Sequence, residues 1–168
     1  MNNSIYLCYK RSLTSIIAAS LVFEKLRNNG YAVIYSRKLR ENDFIQKIDK
    51  VLEDAEDVIV LLDDHSFLAL NEGTERFLES WFCRELLEAA KQNKNIVVIC
   101  LNGYTLPEKS TLPQEIHFLY DSQVQELDIF NLSVSPDIEV FIGGLKAKPV
   151  LKYFLENRVS YAISSDFL

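Results

Sequence analysis

Short unbroken apolar runs alternate along this chain with longer stretches in which apolar residues return every three or four positions. That alternation predicts strands separated by helices. Ile5 to Tyr9 reads as a short buried strand. Thr14 to Asn29 reads as a helix, with Leu13, Ile17, Leu21 and the pair Val22/Leu26 at helical spacing and Gly30 positioned to end it in the left-handed cap conformation. Tyr31 to Tyr35 is a second strand. Asn42 is placed to cap a helix from Asp43 to about Ala55, with Ile45, Ile48, Val51, Leu52 and Ala55 on its inner side. Asp57 to Leu62 is the clearest strand, and its continuous apolar centre predicts cover on both faces, as in the middle of a parallel sheet. Residues 63 to 78 read as a polar loop, 79 to 93 as a helix and Ile96 to Leu101 as a fourth strand. After a Pro-containing loop, Ile116 to Tyr120 reads as the fifth.

Beyond that point, Ser135-Pro136-Asp137 is a good helix start, limited in length by Gly143-Gly144 and Pro149, and a last helix is predicted from about Pro149 to Arg158. Strands alternating with helices through right-handed connections give an α/β fold, a parallel sheet with helices on both faces. Such a sheet keeps its chemistry in the loops at the C-terminal ends of its strands.

Composition narrows the function. The 168 residues suffice for one domain with a proper core, and 48% hydrophobic against 25% charged residues, with Gly and Pro scarce, excludes disordered and fibrous classes. The net charge of -6, without a Lys/Arg stripe interleaved with aromatics, argues against nucleic acid as the main partner. Cys8, Cys83 and Cys100 form no CxxC pair, which fits a reducing, cytoplasmic location. Lys10-Arg11 followed by Ser12 to Phe23 superficially resembles a secretory signal, yet it runs on into Glu24-Lys25-Leu26-Arg27 at helical spacing, and its apolar run is too short to cross a bilayer. No membrane partner is expected. His65 and His117 are far apart and the cysteines are scattered, so no metal site is predicted. No GxGxxG, GxxxxGK[ST] or GxSxG pattern occurs.

A different constellation sits at the strand ends. Tyr9-Lys10-Arg11 follows the first strand, Ser36-Arg37-Lys38 and Arg40 follow the second, and Trp81 and Glu85, four positions apart on one helix face, follow the third. Clustered cations suit a pyrophosphate, which they hold by charge-assisted hydrogen bonds. The plain alternatives are solvated Lys10 and Arg11, a core Trp81, and a surface Glu85 paired with Arg84 or Lys91.

Taken together, these stretches resemble the TIR (Toll/interleukin-1 receptor) domain family over roughly residues 4 to 130. Ile5-Tyr6-Leu7-Cys8-Tyr9-Lys10-Arg11 is similar to the family's first box, with Cys8 where Ser is usual. The strand Val33-Ile34-Tyr35 and the loop Leu39-Arg40-Glu41-Asn42-Asp43-Phe44 follow the family order. Trp81 and Glu85 match the Trp-Cys-x-x-Glu-Leu box, with Phe82 in the Cys place and Leu86 in the Leu place. The departures are Ser36 where many members have Asp, Asn42 for the loop Gly, and Asp63 where Ser often ends the third strand.

The resemblance implies a flavodoxin-like three-layer fold with a five-stranded parallel sheet, a TIR domain over 1–130, and 131–168 as a C-terminal helical extension packed on the same domain. It implies an enzyme that cleaves NAD between nicotinamide and ribose, with Glu85 catalytic and Tyr9, Lys10, Arg11, Ser36, Phe44 and Trp81 binding the substrate. Nicotinamide leaves a pyridinium as a neutral molecule, so one carboxylate that stabilises charge at the anomeric carbon suffices. NAD is then substrate, with no cofactor and no metal. Water as acceptor gives ADP-ribose, and an atom of the same molecule gives a cyclic isomer. Standalone bacterial members, such as those of Thoeris antiphage systems, further imply a trigger protein, self-association through TIR surfaces, and a small-molecule signal to a separate effector in antiviral defence. The alternative within the family is a noncatalytic module signalling by self-association. Outside it, a receiver domain needs paired acids where Tyr9-Lys10-Arg11 stands, and a nucleoside deoxyribosyltransferase-like enzyme also uses a Glu at an N-glycosidic bond.

Overall fold

Five strands, β1 (Ser4–Tyr9), β2 (Ala32–Tyr35), β3 (Ala55–Leu62), β4 (Asn95–Leu101) and β5 (Gln123–Leu127), form one all-parallel sheet in the order β2-β1-β3-β4-β5. They belong to a computed structural model that describes residues 2–35, 47–130 and 144–161. Among the described residues the α-helices are α1 (Leu13–Asn28), α2 (Ile48–Glu53), α3 (Thr74–Leu78), α4 (Trp81–Lys91) and α5 (Val150–Tyr161). The expected α/β class and parallel sheet are present.

Successive side chains of a strand point to opposite faces, so each apolar strand feeds two cores. Ile5, Leu7 and Tyr9 of β1, Ile59 and Leu61 of β3, and Val97, Ile99 and Leu101 of β4 pack with Ala18, Ala19, Val22 and Leu26 of α1. Tyr6 and Cys8, Val58, Val60 and Leu62, and Val98 and Cys100 face the other way, onto Leu52, Phe77, Phe82, Cys83, Leu86 and Ala89 of α2, α3 and α4. β3 lies between β1 and β4 and is covered on both sides, which is why its run reads as continuously apolar.

Three expectations need correction. Ile116 to Tyr120 is not a strand but part of a 3-10 helix, Gln114–Asp121, that buries Ile116 and Leu119 at the three-residue spacing such a helix brings onto one side. The fifth strand is Gln-Val-Gln-Glu-Leu, an edge strand whose polar, part-exposed pattern carries no apolar run to find. Second, α1 buries Ala18, Ala19, Val22 and Leu26, while Leu13 is 78% and Ile17 42% exposed. Small alanines let the helix approach the sheet, and they set the buried face. Third, Ala55 opens β3 rather than closing a helix, and the loop after β3 contains a 3-10 turn (Leu68–Glu72) and α3. The proposed helix start at Ser135 lies outside the described residues, as does Ile45.

Local chemistry fixes the element ends. Ser12 caps α1 in a capping box with Ser15, and Gly30, with φ +86°, closes it. Residues 144 to 150 run along the N-terminal ends of the central strands. The backbone N–H groups of Lys146 (2.8 Å) and Ala147 (2.7 Å) donate to the buried Asp57 carboxylate, as does the Asn95 side chain (2.6 Å). Asn3 exchanges two hydrogen bonds with Lys148, and Val150 N–H donates to Gly30 O at 2.7 Å. The following helix α5 leaves Leu151, Phe154 and Leu155 exposed. Among the described residues no helix is long and apolar enough to cross a membrane.

Candidate functional site

The site grows from two elements, β1 and α4. Ser80 caps α4, its Oγ accepting from Cys83 N–H at 3.3 Å while its hydroxyl donates to Phe77 O at 2.6 Å. The apolar stripe of the helix sets its rotation, burying Phe82, Cys83, Leu86 and Ala89 against the sheet and carrying Glu85 in with them. Glu85 is therefore an acid inside the apolar layer, only 4% exposed. It pairs with neither Arg84 nor Lys91: the Arg84 guanidinium sits 6.0 Å from the Trp81 ring centroid, and Lys91 lies 3.4 Å from Glu88.

What holds the carboxyl is β1. Tyr6 Oη donates to Glu85 Oε1 at 2.8 Å, and Cys8 Sγ donates to Oε2 at 3.3 Å. Burial pushes the carboxyl up to about 7, although the bonds from Tyr6 and Cys8 and the positive field of Arg11 pull it back. Burial likewise drives the Tyr6 phenol and the Cys8 thiol well above their ordinary values, so both remain proton donors. A carboxyl balanced near neutrality has both its forms populated at physiological pH, the condition that suits acid–base and electrostatic catalysis.

The remaining candidates fall in three places. Lys10 and the exposed Arg11 follow β1, on the strand end nearest Glu85. Trp81, in the first turn of α4, is 38% exposed, so the two residues that share a helix face differ sharply in their access to solvent. Tyr9 is 7% exposed and packs in the core on the α1 side, across the sheet from Glu85. Ser36 and Phe44 lie outside the described residues.

Sequence reasoning missed Tyr6 and Asp63 as polar partners. Tyr6 and Cys8 stand two apart on one strand and so share a face, a signal open to reading once Glu85 is placed opposite. Asp63 directly follows β3 and is 3% exposed. It accepts from the Ser12 hydroxyl, from His65 N–H at 2.9 Å and from Ser66 Oγ at 3.3 Å, tying the end of β3 to the start of α1. Ligand atoms of Asp63, Asp64 and His65 lie within 4.8 Å of one another, but the Asp63 oxygens are already engaged by these donors. No protein-family model matches the chain, and no curated protein matches it.

Proposed function

We propose that this chain is a TIR-type enzyme of the cytoplasm that consumes NAD, with Glu85 acting at the nicotinamide–ribose bond. The observation that carries the reading is the Glu85 carboxyl: buried, pinned by two donors, and balanced near neutral pH beneath a strand end that continues into Lys10 and Arg11. As the anion it stabilises the positive charge that develops at the anomeric carbon while neutral nicotinamide departs. Lys10 and Arg11 supply charge for the pyrophosphate, and the part-exposed Trp81 supplies a flat wall for a ring. Phe44 and Ser36 complete the proposed set by their sequence positions.

At 4% exposure Glu85 is closed to the anomeric carbon of NAD in the resting chain. Turnover in this reading requires a rearrangement that a trigger protein or self-association supplies, and its ADP-ribose or cyclic product is the signal to a separate effector. The test is incubation of the protein with NAD, alone and with an infection trigger, following nicotinamide and the nucleotide product by mass spectrometry. Nicotinamide release that Glu85→Gln abolishes supports the reading. Release at an equal rate in Glu85→Gln overturns it.

The same burial favours a second reading, a noncatalytic TIR module in which Glu85 fastens α4 to β1 and signalling runs through self-association. Under that reading Glu85→Gln, which keeps the Tyr6 bond, preserves biological activity, while substitutions at Arg40 or Phe44 abolish it.

A further inference from the structure

We infer that Tyr6 and Cys8 are positioning residues that hold the Glu85 carboxyl in one orientation and make its two oxygens unequal, leaving Oε2 as the oxygen that takes the proton and meets a substrate. The inference rests on Glu85 being the reacting group of the proposed function. The two donors come from one face of β1 and reach one oxygen each, so the carboxyl is gripped at both ends. The grips differ. A phenol O–H at 2.8 Å is a strong donor, whereas a thiol at 3.3 Å is a weak one. Oε1 is thus well satisfied and Oε2 poorly satisfied. A proton binds where it displaces the weaker donor, which is Oε2.

The surroundings leave this pair in control. Arg11, after β1, acts on the carboxyl by its charge, Tyr9 acts on Tyr6, and Cys83 acts on Cys8. From the 3-10 helix packed against α4, Glu115 acts on Cys83. The titratable groups of the neighbouring helices, Asp49, Lys50 and Glu53 of α2 and Glu75 and Arg76 of α3, are exposed. Both donors favour the ionised carboxyl, because a carboxylate accepts from both while an acid surrenders one acceptor site. Cys8 as a thiol therefore sets a compromise: a hydroxyl in its place makes the carboxylate more available at low pH and holds Oε2 more firmly.

The experiment compares the wild type with Tyr6→Phe and Cys8→Ser. The Glu85 carboxyl is titrated by carbon-13 NMR of glutamate-labelled protein, its signal assigned with Glu85→Gln, and the pH profile of nicotinamide release is recorded in parallel. Tyr6→Phe is expected to raise the midpoint by about one pH unit, the worth of one charge-assisted hydrogen bond, and Cys8→Ser to lower it. The rate in Tyr6→Phe falls at pH 7 and recovers at higher pH, a behaviour that mere loss of packing does not produce. Coincident midpoints in all three proteins overturn the inference, even where nicotinamide release depends on Glu85. Ordered midpoints in a protein that never releases nicotinamide uphold the grip on the carboxyl and overturn the NAD-cleavage reading instead. Cys8→Ser is the conservative variant, and its midpoint decides the matter if Tyr6→Phe does not fold.

Discussion

Replacing Glu85 by Gln changes one buried oxygen for an amide of the same shape, and its effect on stability depends on pH in a way that packing alone cannot imitate. The folded state holds the Glu85 proton more tightly than the unfolded chain does, with the carboxyl raised from 4.5 to about 7. Below about pH 4.5 both states are protonated, and stability is at its greatest. Between 4.5 and 7 the unfolded chain ionises first, so stability falls as pH rises, and above 7 the loss is complete. At about 1.4 kcal/mol for each tenfold change, the loss comes to about 3 kcal/mol. Gln carries no such penalty: its carbonyl keeps the Tyr6 bond and its amide faces the Cys8 sulfur. Urea unfolding at pH 4, 6 and 8 measures the difference. The Gln variant should match the wild type at pH 4 and exceed it by about 3 kcal/mol at pH 8, with the denaturant slope unchanged. A difference between the two proteins that stays constant across this range would refute the buried, neutral-leaning acid. So would a wild type that gains stability as pH rises from 5 to 7.

The same ionisation predicts that nicotinamide release, where it occurs, rises with pH through about 7, as the carboxylate forms, and this is read from initial rates at saturating NAD. Asp57→Ala strands two donors, the Lys146 and Ala147 N–H groups, and leaves the Asn95 amide with only its bond to Gly144 O; it should cost about 3 kcal/mol in urea unfolding, with faster hydrogen exchange at the amides of 146 and 147. Ser12→Ala removes the α1 cap and a donor to Asp63, an expected loss of about 1–2 kcal/mol by thermal unfolding. Trp81→Ala should cost less than about 1 kcal/mol, since the ring is part-exposed, yet weaken NAD binding measured by calorimetry if that ring is a ligand wall.

The apolar runs made β1, β2, β3 and β4 legible, because strands buried on both faces need no alternation and stand out as blocks. β5 was not legible for the converse reason: at a sheet edge, the polar Gln123 and Glu126 face an exposed surface, and the nearby Ile116 and Leu119 supply a stronger apolar signal from a 3-10 helix. Helix α1 was found, but its buried side was not. Leu13 and Ile17 carry more hydrophobicity than Ala18 and Ala19, and only the closeness of helix and sheet reveals that small residues belong inside. At the site, spacing put Trp81 and Glu85 on one face and nothing more. The depth of Glu85 depends on how α4 lies on the sheet and on the hydrogen-bonding reach of Tyr6 and Cys8, which are relations between distant segments. Tyr9 illustrates the same limit: a neighbour of Lys10 in sequence, it faces the opposite layer because strand side chains alternate.

The anchoring of residues 144 to 150 on Asp57 bears on how the chain is made. Ribosomal synthesis delivers β1, β3 and β4 long before the N–H groups that Asp57 needs, since 89 and 90 residues separate it from Lys146 and Ala147. Until then a nascent sheet carries the polar Asp57 side chain at the foot of its central strand with only Asn95 available among these three donors, and water must keep access to it. The sheet's lower end therefore stays open to water until residues 146 and 147 are available to close it. A ribosome-stalled series would reveal this as a late step in protease resistance, arriving when residue 150 clears the exit tunnel and absent from a series carrying Asp57→Ala.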